Sequence, residues 1–345
     1  MSAFERLSGR VRPRVEAELE ACLDAMLDRA QGYGPPVAAT VAALRALVLR
    51  GGKRFRPILL AGAYEACGGE GGADRVAMAG VALELLQAYL LTHDDWMDDD
   101  DTRRGGPTVH AALREAFGSP RAGAVSAVLA GDLTVSYAQR ALLAVRGPAE
   151  RMVDAFSEFV RMQVDVVYGQ LIDVHAEAPD RAAVEVMHDL KTSSYTVRGP
   201  IALAAALAGA PVDVRTALER FAVPLGIAFQ LRDDLLGTFG DSATTGKSSD
   251  GDLRKGKRTS LVVELLAVPG SRGILDRVLG RADADPADVA RVMARMVESG
   301  ARARVEDRLA ALLAEASAAL DAAPIEAEAR DALHGAVLAL GVRNQ

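Results

Sequence analysis

Apolar residues recur at helical spacing along nearly the whole chain, and Gly- and Pro-containing segments separate the repeats. No segment alternates as a strand does. Segments 74–98 and 181–208 are apolar on more than one side, which is typical of central members of a helical bundle. The pattern predicts an all-α protein, a single large helical bundle over residues 1–345. The predicted helices span residues 11–31, 36–50, 57–67, 74–98, 108–117, 121–145, 149–177, 181–208, 213–239, 259–267, 271–281, 286–298, 301–321 and 326–341.

Composition narrows the class of protein. Half of the 345 residues are hydrophobic, which is enough for one large core, and the formal net charge of −7 argues against a nucleic-acid partner. Cys22 and Cys67 have neither disulfide-framework nor zinc spacing, which favours a reducing cytoplasm. The charged N-terminal segment lacks the apolar core of a secretory signal, and the longest nearly uncharged stretch, 199–212, is too short to cross a bilayer. We therefore expect a cytoplasmic protein with no integral membrane segment.

The stretch from residue 83 to 110 passes from an apolar helix to a run of acids and then to two arginines. Asp94 and Asp98 are four residues apart, so their carboxylates share one helix face, at a helix end where the dipole already disfavours anions. Mg²⁺ prefers such oxygen ligands, and Arg103 and Arg104 supply cationic forks for phosphate. The alternative is a solvated acidic loop. An EF-hand is excluded because the required Gly and Glu spacing is absent.

A second apolar helical pattern, over residues 229–241, ends in another acidic pair, Asp233 and Asp234. The two acidic sites together favour metal binding over a solvated loop. They also resemble the trans-isoprenyl diphosphate synthases, the polyprenyl synthetase family that includes farnesyl and geranylgeranyl diphosphate synthases. The resemblance runs from residue 51 to 262 by motif and farther by helical pattern. The family pattern DDxxD, followed by xxxRRG, is matched here by Asp94, Asp95, Asp98, Arg103, Arg104 and Gly105.

The resemblance implies a helical bundle of the isoprenoid synthase type with a central cavity, and a site for isopentenyl diphosphate. In the family the motif GGKRFRP, here residues 51–57, holds the diphosphate of that substrate, and Lys53 and Arg56 carry over. Gln87 matches a further contact to it. Taken alone, a basic cluster of this kind is more often a solvated surface.

The resemblance also assigns residues to the allylic substrate. Lys191 and Thr192 match the pair that binds the allylic diphosphate and faces the developing carbocation, and Gln230 matches a second group of that kind. Lys247 and Lys257, in the Gly- and Lys-rich segment 246–261, match lysines that clamp the allylic diphosphate. By itself, a Lys on an apolar helix usually reaches out to water.

The metal ligands implied by the resemblance are Asp94, Asp98 and Asp233, with Asp95 in support, holding three Mg²⁺ ions together with the diphosphate. The chain departs from the family at Gly237, where a third Asp of the second motif is common. The helix face above Asp233 is therefore expected to offer no carboxylate one turn on. In the segment SDGDL we expect Asp252, rather than Asp250, to be the equivalent of the family's acid.

The implied reaction is a Mg-dependent head-to-tail condensation of isopentenyl diphosphate with dimethylallyl, geranyl or farnesyl diphosphate, carried out by a homodimer. Tyr89, five residues before Asp94, would lie about 7–8 Å along the helix from the acids and meet the growing chain. Related enzymes with an aromatic residue at this position and no insertion in the first acidic motif resemble makers of short chains, and Leu90 leaves more room than a second aromatic would. The resemblance therefore implies geranylgeranyl diphosphate as the product, with farnesyl diphosphate or a longer polyprenyl diphosphate as the alternative. Tyr89 as a plain core residue is the alternative to a role in product length. A terpene cyclase and a non-catalytic partner subunit are weaker alternatives, because the chain keeps GGKRFRP and both acidic pairs.

Overall fold

The structure, a computed structural model, describes residues 1–175, 179–240 and 250–341. The prediction of an all-α fold is confirmed, since helices make up nearly all of its regular structure. The helices are α1 (Ala3–Gln31), α2 (Pro35–Leu49), α3 (Phe55–Ala66), α4 (Gly72–Arg75), α5 (Ala77–Met97), α6 (Val109–Phe117), α7 (Pro120–Leu143), α8 (Ala149–His175), α9 (Arg181–His188), a π-helix (Asp189–Arg198), α10 (Gly199–Ala208), α11 (Val212–Phe239), α12 (Gly251–Arg254), α13 (Ser260–Leu266), α14 (Arg272–Leu275), α15 (Pro286–Glu298), α16 (Ala301–Asp321) and α17 (Ala327–Gly341).

Contacts divide the chain into two compact units, and the prediction of a single domain over residues 1–345 stays a prediction. Unit 1 comprises Met1–Phe156, Leu203–Ala210 and Glu326–Ala332. Within it α5 packs extensively against α7, and α6 packs against α7 as well. A cluster of fully buried side chains, including Leu47, Val109 and Leu113, ties α2 and α6 to α7. The acid-bearing end of α5 therefore belongs to a helix that is held along its length.

Unit 2 comprises Ser157–Ala202, Pro211–Ile325 and Leu333–Gln345. Helix α11 packs against α16 and against the π-helix. Its apolar face joins a core that extends through α13, α15 and α16, with Leu231, Leu261, Leu265 and Val292 almost completely buried. This packing holds α11, which carries the second acidic pair.

Helix α1 begins at Ala3, eight residues before the predicted start. The sequence places Pro13 near a helix beginning, where proline is favoured. In the structure the helix continues through Pro13, and Ser2 and Glu5 form a capping box at its start. The buried stripe of Leu7, Val11, Val15 and Leu19 explains why this earlier start is stable, since it offsets the hydrogen bond that Pro13 removes.

The predicted helix 181–208 is divided by the π-helix Asp189–Arg198. The π-helix forms hydrogen bonds from residue i to i+5 and is therefore wider than an α-helix. Pro200 gives a physical reason, because its ring lacks an N–H and would clash with the carbonyl four residues earlier in a regular helix. The spacing of apolar residues alone does not predict a switch from α-helix to π-helix.

A two-stranded hairpin that the sequence did not predict follows α5. Strand β1 (Thr102–Arg103) pairs antiparallel with β2 (Gly106–Pro107). The turn residues Arg104 and Gly105 both have positive φ, 52° and 72°, as a type I′ hairpin turn requires. Two residues per strand are too few for an alternating pattern to be recognised in the sequence.

In the part of the chain that the structure describes, no helix is both long enough and apolar enough to cross a membrane. Among the described residues neither Cys22 nor Cys67 forms a disulfide, and both are partly exposed.

Candidate functional site

In unit 1 the first acidic group lies where α5 ends. Asp94 belongs to the last turn of α5, and Asp98 is the C-cap residue, whose N–H donates to the Asp94 carbonyl at 2.8 Å. The Asp94 side chain is one-quarter exposed. The chain turns sharply after the cap, because Asp99 adopts a left-handed conformation with φ 54°. Trp96 and Met97, which lie between these acids in the sequence, are exposed.

Asp95 has the opposite environment, because its side chain is completely buried. Arg103 Nε donates to Asp95 Oδ1, and the Arg103 guanidinium also lies 3.9 Å from Asp94 and 3.7 Å from Asp100. Burial raises the pKa of Asp95 to about 6, although Arg103 opposes this by favouring the charged form. Asp95 therefore links the acidic group to the hairpin.

The donor set at this site suits magnesium, because carboxylate oxygens are the ligands that this ion prefers. Asp95 Oδ2 is buried and accepts no hydrogen bond from any residue that the structure describes. Among those residues, no three His, Cys, Asp or Glu side chains are grouped so as to hold a metal ion. A bound ion would therefore need phosphate or water oxygens to complete its shell, which is the usual arrangement for Mg²⁺.

The basic turn at residues 51–57 surrounds a buried arginine. Arg54 has φ 50° and is only 4% exposed; it donates to Glu84 at 2.6 Å and to Glu16 at 3.3 Å. Its third hydrogen bond is to the carbonyl of Val48. These contacts give Arg54 a structural role in holding the turn. Lys53 is exposed and Arg56 is largely buried, so the two predicted substrate residues leave the same turn in different environments.

The hairpin brings Arg104 to this turn. Arg104 donates to the carbonyl of Gly51, and its guanidinium lies about 3.5 Å from the place where Gly52 would carry a Cβ. Partial desolvation lowers the pKa of Arg104, and neighbouring Arg54 and Arg56 lower it further although Glu84 opposes them. Such mutual repulsion between cations would be relieved by an anion such as phosphate.

A small cleft in unit 1 joins two of the predicted substrate residues. It is lined by Gln87 on α5 and Arg104 on the hairpin, beside the buried pair of Arg54 and Glu84. The structure thus brings Gln87 close to Arg54 of the basic turn.

In unit 2 the second acidic group lies on α11. Asp233 is exposed, whereas Asp234 is 3% exposed. Asp234 accepts hydrogen bonds from Gln230 Nε2 at 2.9 Å and from the Ser260 N–H at 3.1 Å, and His188 Nε2 lies 3.5 Å away. Burial raises the pKa of Asp234 to about 7 against these hydrogen bonds. Asp234 therefore holds α11, α13 and α9 together and leaves Asp233 as the accessible acid.

Thr192 and Gln230, two predicted catalytic residues, are in direct contact. Thr192 Oγ1 donates to Gln230 Oε1 at 2.7 Å, while Gln230 donates onward to Asp234. Lys191, on the same π-helix, donates to Asp173 of α8. The three predicted residues are thus brought together in one hydrogen-bonded region of unit 2.

The expectation that the face above Asp233 lacks a carboxylate is corrected by Asp252. A Cβ on Gly237 would lie 2.5 Å from Asp252 Oδ2, so the Asp252 carboxylate occupies the space that a side chain at position 237 would take. Asp250 instead pairs with Arg254 at 2.6 Å. This contrast supports Asp252 as the equivalent acid. The N–H of Lys257 donates to the Asp252 carbonyl, and Lys247 lies outside the described residues.

Tyr89 lies on α5, and its ring meets the His93 ring edge to face, with the centroids 4.8 Å apart. His93 Nε2 lies 3.0 Å from the Val128 carbonyl of α7, and Gly131 provides room, since a Cβ there would lie 2.2 Å from that nitrogen. The tyrosine ring is therefore held at its position by a neighbour that is itself fixed to α7.

Several residues of these groups were missed in the sequence because their partners are distant along the chain. No motif or spacing in the neighbouring sequence indicates a role for Asp173 or His188. None indicates that Arg54 pairs with Glu84 either. Arg50 was missed as well; it donates to the carbonyls of Arg103 and Pro107 and so fixes the hairpin.

The chain is similar to known proteins along most of its length. The model of the polyprenyl synthetase family matches residues 38–296. A geranylgeranyl diphosphate synthase of Sulfolobus acidocaldarius is 36% identical over 226 residues, and the match spans 64% of this chain and 64% of that relative's length. A geranylfarnesyl diphosphate synthase of Aeropyrum pernix is 31% identical over 295 residues, which is 84% of this chain and 89% of that protein.

The fold has solved counterparts. The crystal structure of a geranylgeranyl pyrophosphate synthase from Corynebacterium glutamicum, complexed with isoprenyl diphosphate and magnesium, matches with a TM-score of 0.89 and 33% identity, covering 99% of both chains. The helical fold predicted from the sequence is thus confirmed.

Proposed function

The chain belongs to the polyprenyl synthetase family, which makes it a prenyltransferase, and we propose that it condenses isopentenyl diphosphate with an allylic diphosphate to give geranylgeranyl diphosphate. The allylic substrate is dimethylallyl, geranyl or farnesyl diphosphate. The observation that carries the proposal is the arrangement of charge in unit 1. There Arg103 contacts the acids at the end of α5, while Arg104 of the same hairpin reaches the basic turn.

The basic turn and its cleft suit isopentenyl diphosphate. Lys53, Arg56, Arg104 and Gln87 provide cations and an amide, which are suitable donors for a diphosphate. Arg54 is already engaged by Glu84 and Glu16, so it contributes by holding the turn. The cations listed here would be more stable with an anion among them.

The unit 2 residues suit the allylic substrate. Lys191 and Lys257 are cations for its diphosphate, and Thr192 and Gln230 present oxygen atoms that stabilise positive charge. In the reaction the C–O bond of the allylic diphosphate breaks and the electron pair leaves with the diphosphate. The double bond of isopentenyl diphosphate then forms the new C–C bond with the allylic cation. A proton is lost to the released diphosphate, which restores a double bond.

Asp94, Asp98 and Asp233 are the residues that would hold magnesium, which we propose binds as three ions together with the diphosphate. When bound, magnesium neutralises the charge that grows on the departing diphosphate. The carboxylate of Asp252 beside Gly237 adds a further acid to the face of α11 that carries Asp233. We propose a cytoplasmic location on the basis of the family resemblance.

An assay of the purified protein tests the function. Isopentenyl diphosphate is supplied with each allylic diphosphate and Mg²⁺, and the products are identified by mass spectrometry. A twenty-carbon diphosphate supports the proposal. A twenty-five-carbon product would instead favour the activity in the name of the Aeropyrum pernix relative, and a hydrocarbon formed without isopentenyl diphosphate would indicate a cyclase.

The first prediction concerns the metal ligands. We expect Asp94→Ala and Asp233→Ala each to lower kcat by roughly 100- to 1000-fold, which is the cost of removing one group that stabilises transition-state charge. Each should also weaken the rise in melting temperature that Mg²⁺ and inorganic diphosphate produce together. Asp28→Ala, at an exposed position of α1, is the matched control. Turnover near wild type in either variant would contradict the assignment.

The second prediction separates the two substrates. Lys53→Ala and Arg56→Ala should raise the KM for isopentenyl diphosphate by roughly 10- to 100-fold, since a hydrogen bond to a charged group contributes about 1.5–3 kcal/mol. The KM for the allylic substrate should change little. Arg14→Ala, which removes an exposed helix-surface arginine paired with Glu18, is the control for charge alone. Equal changes in both KM values would contradict the assignment of the basic turn to isopentenyl diphosphate.

The third prediction concerns product length. Because the Tyr89 ring is held against His93 on α5, its removal should open space for a longer chain. Mass spectrometry of the products of Tyr89→Ala should show a shift beyond twenty carbons, while Tyr33→Ala, which removes an exposed tyrosine, should leave the products unchanged. An unchanged distribution for Tyr89→Ala would place the end of the product cavity at another residue.

The fourth prediction concerns assembly, which we propose is a homodimer. Helix α8 exposes a second apolar stripe that includes Val160, Val164, Tyr168 and Leu171, apart from its buried face. Exposed stripes of this kind are typical of interfaces. Light scattering should give a mass near twice that of one chain, and Val164→Asp with Leu171→Asp should give the mass of one chain. A wild-type mass of one chain at micromolar concentration would exclude the dimer.

A further inference from the structure

The π-helix Asp189–Arg198 carries Lys191 and Thr192, and two neighbouring helices approach its backbone unusually closely. On α8, a Cβ on Gly169 would lie 2.2 Å from the backbone nitrogen of Lys191 and 2.6 Å from its Cα. These are backbone atoms, so no side-chain rotation could relieve the clash. Only glycine allows α8 to lie at this distance.

Helix α11 makes a similar approach from another residue. A Cβ on Gly226 would lie 1.8 Å from Ser193 Oγ and 2.4 Å from Ser193 Cβ. Ser193 is completely buried, and its hydroxyl has no hydrogen-bond partner among the described residues. The Ser193 side chain thus occupies the space that any larger residue at position 226 would need.

Each glycine lies one helical turn before the residue that binds the π-helix. Asp173 is four residues after Gly169 and accepts from Lys191; Gln230 is four residues after Gly226 and accepts from Thr192 at 2.7 Å. Residues four apart share one face of a helix. On both helices, therefore, the glycine faces the same π-helix as the polar partner that follows it.

Distance and orientation are supplied by different residues in this arrangement. The glycines let the helix axes come close enough for the side chains of Asp173 and Gln230 to reach Lys191 and Thr192. Gln230 is itself oriented, because its Nε2 donates to Asp234 at 2.9 Å and its oxygen is left to accept from Thr192. A displacement of either helix would break these contacts without removing any of the polar groups.

We propose that Gly169 and Gly226 are positioning residues for the allylic substrate, which set Lys191 and Thr192 through the close approach of α8 and α11. The proposal rests on the proposed function, in which Lys191 and Thr192 act on that substrate. It differs from ordinary helix packing in one respect: the effect of replacing either glycine should be specific to one substrate.

The experiment compares Gly226→Ala and Gly169→Ala with Gly123→Ala. Gly123 is a buried glycine of α7 in unit 1, where a Cβ would lie 2.6 Å from the Arg114 backbone nitrogen of α6, so it offers a comparable clash between two other helices. For each variant the melting temperature, kcat and the KM for both substrates are measured. We expect the variants at 226 and 169 to raise the allylic KM at least 10-fold, with the KM for isopentenyl diphosphate within 2-fold of wild type. Gly123→Ala should lower the melting temperature with no such split.

A double variant tests the cause. Ser193→Gly combined with Gly226→Ala removes the side chain that the new methyl group would strike and leaves the Ser193 Cα at 3.1 Å. It should return the allylic KM to within 3-fold of wild type. Because the double variant relieves the clash, it also reports on the proposal if Gly226→Ala alone does not fold.

The outcomes distinguish the inference from the proposed function. If Thr192→Val and Lys191→Met leave the allylic KM unchanged, the roles of those two residues are wrong and the inference falls with them. If those variants raise it while Gly226→Ala and Gly169→Ala do not, the positioning role alone is overturned. The same follows if Gly123→Ala reproduces the split, or if the double variant shows no recovery.

Discussion

The requirement that a buried charge be met by an opposite charge or by hydrogen-bond donors governs the candidate residues of unit 1 and, separately, those of unit 2. In unit 1, Arg54 forms an ion pair with Glu84, and Asp95 forms one with Arg103. In unit 2, the Asp234 carboxylate accepts hydrogen bonds from the Gln230 amide and the Ser260 N–H. Removing one member of such a buried pair costs about 3–5 kcal/mol, because the other charge remains. The groups that are more open to solvent, Asp94 and Asp233, are therefore placed by neighbours that are not.

Much of this architecture could be predicted from the sequence because its signals are local. Three features each occupy a short segment with its own pattern: the last turn of α5, which carries Asp94, the acidic pair on α11, and the basic turn at residues 51–57. The partners could not be predicted in the same way. Lys191 and Asp173 are 18 residues apart, and Arg54 and Glu84 are 30 apart. A contact of that kind depends on which helices become neighbours, which periodicity does not specify.

The carboxylate beside Gly237 shows how a motif can be incomplete along the chain but complete in space. Counting residues from Asp233 leads to glycine one turn on, so the sequence predicts a missing acid. In the structure Asp252 reaches that place from α12, and a glycine is what leaves room for its carboxylate. The same interpretation applies to Gly226, where the absence of a side chain admits Ser193. At both positions the important property of the glycine is the neighbour that it admits.

The directions of the two adjacent arginine side chains, Arg103 and Arg104, could not be predicted from the sequence either. Read as a pair, Arg103 and Arg104 suggest two forks directed at one phosphate. Arg103, however, ends β1 and Arg104 begins a type I′ turn with positive φ, so their side chains leave the backbone in different directions. Arg103 goes to Asp95 and Arg104 to the carbonyl of Gly51. The hairpin therefore connects the acidic group at the end of α5 to the basic turn, and a change in its turn geometry would disturb both groups together.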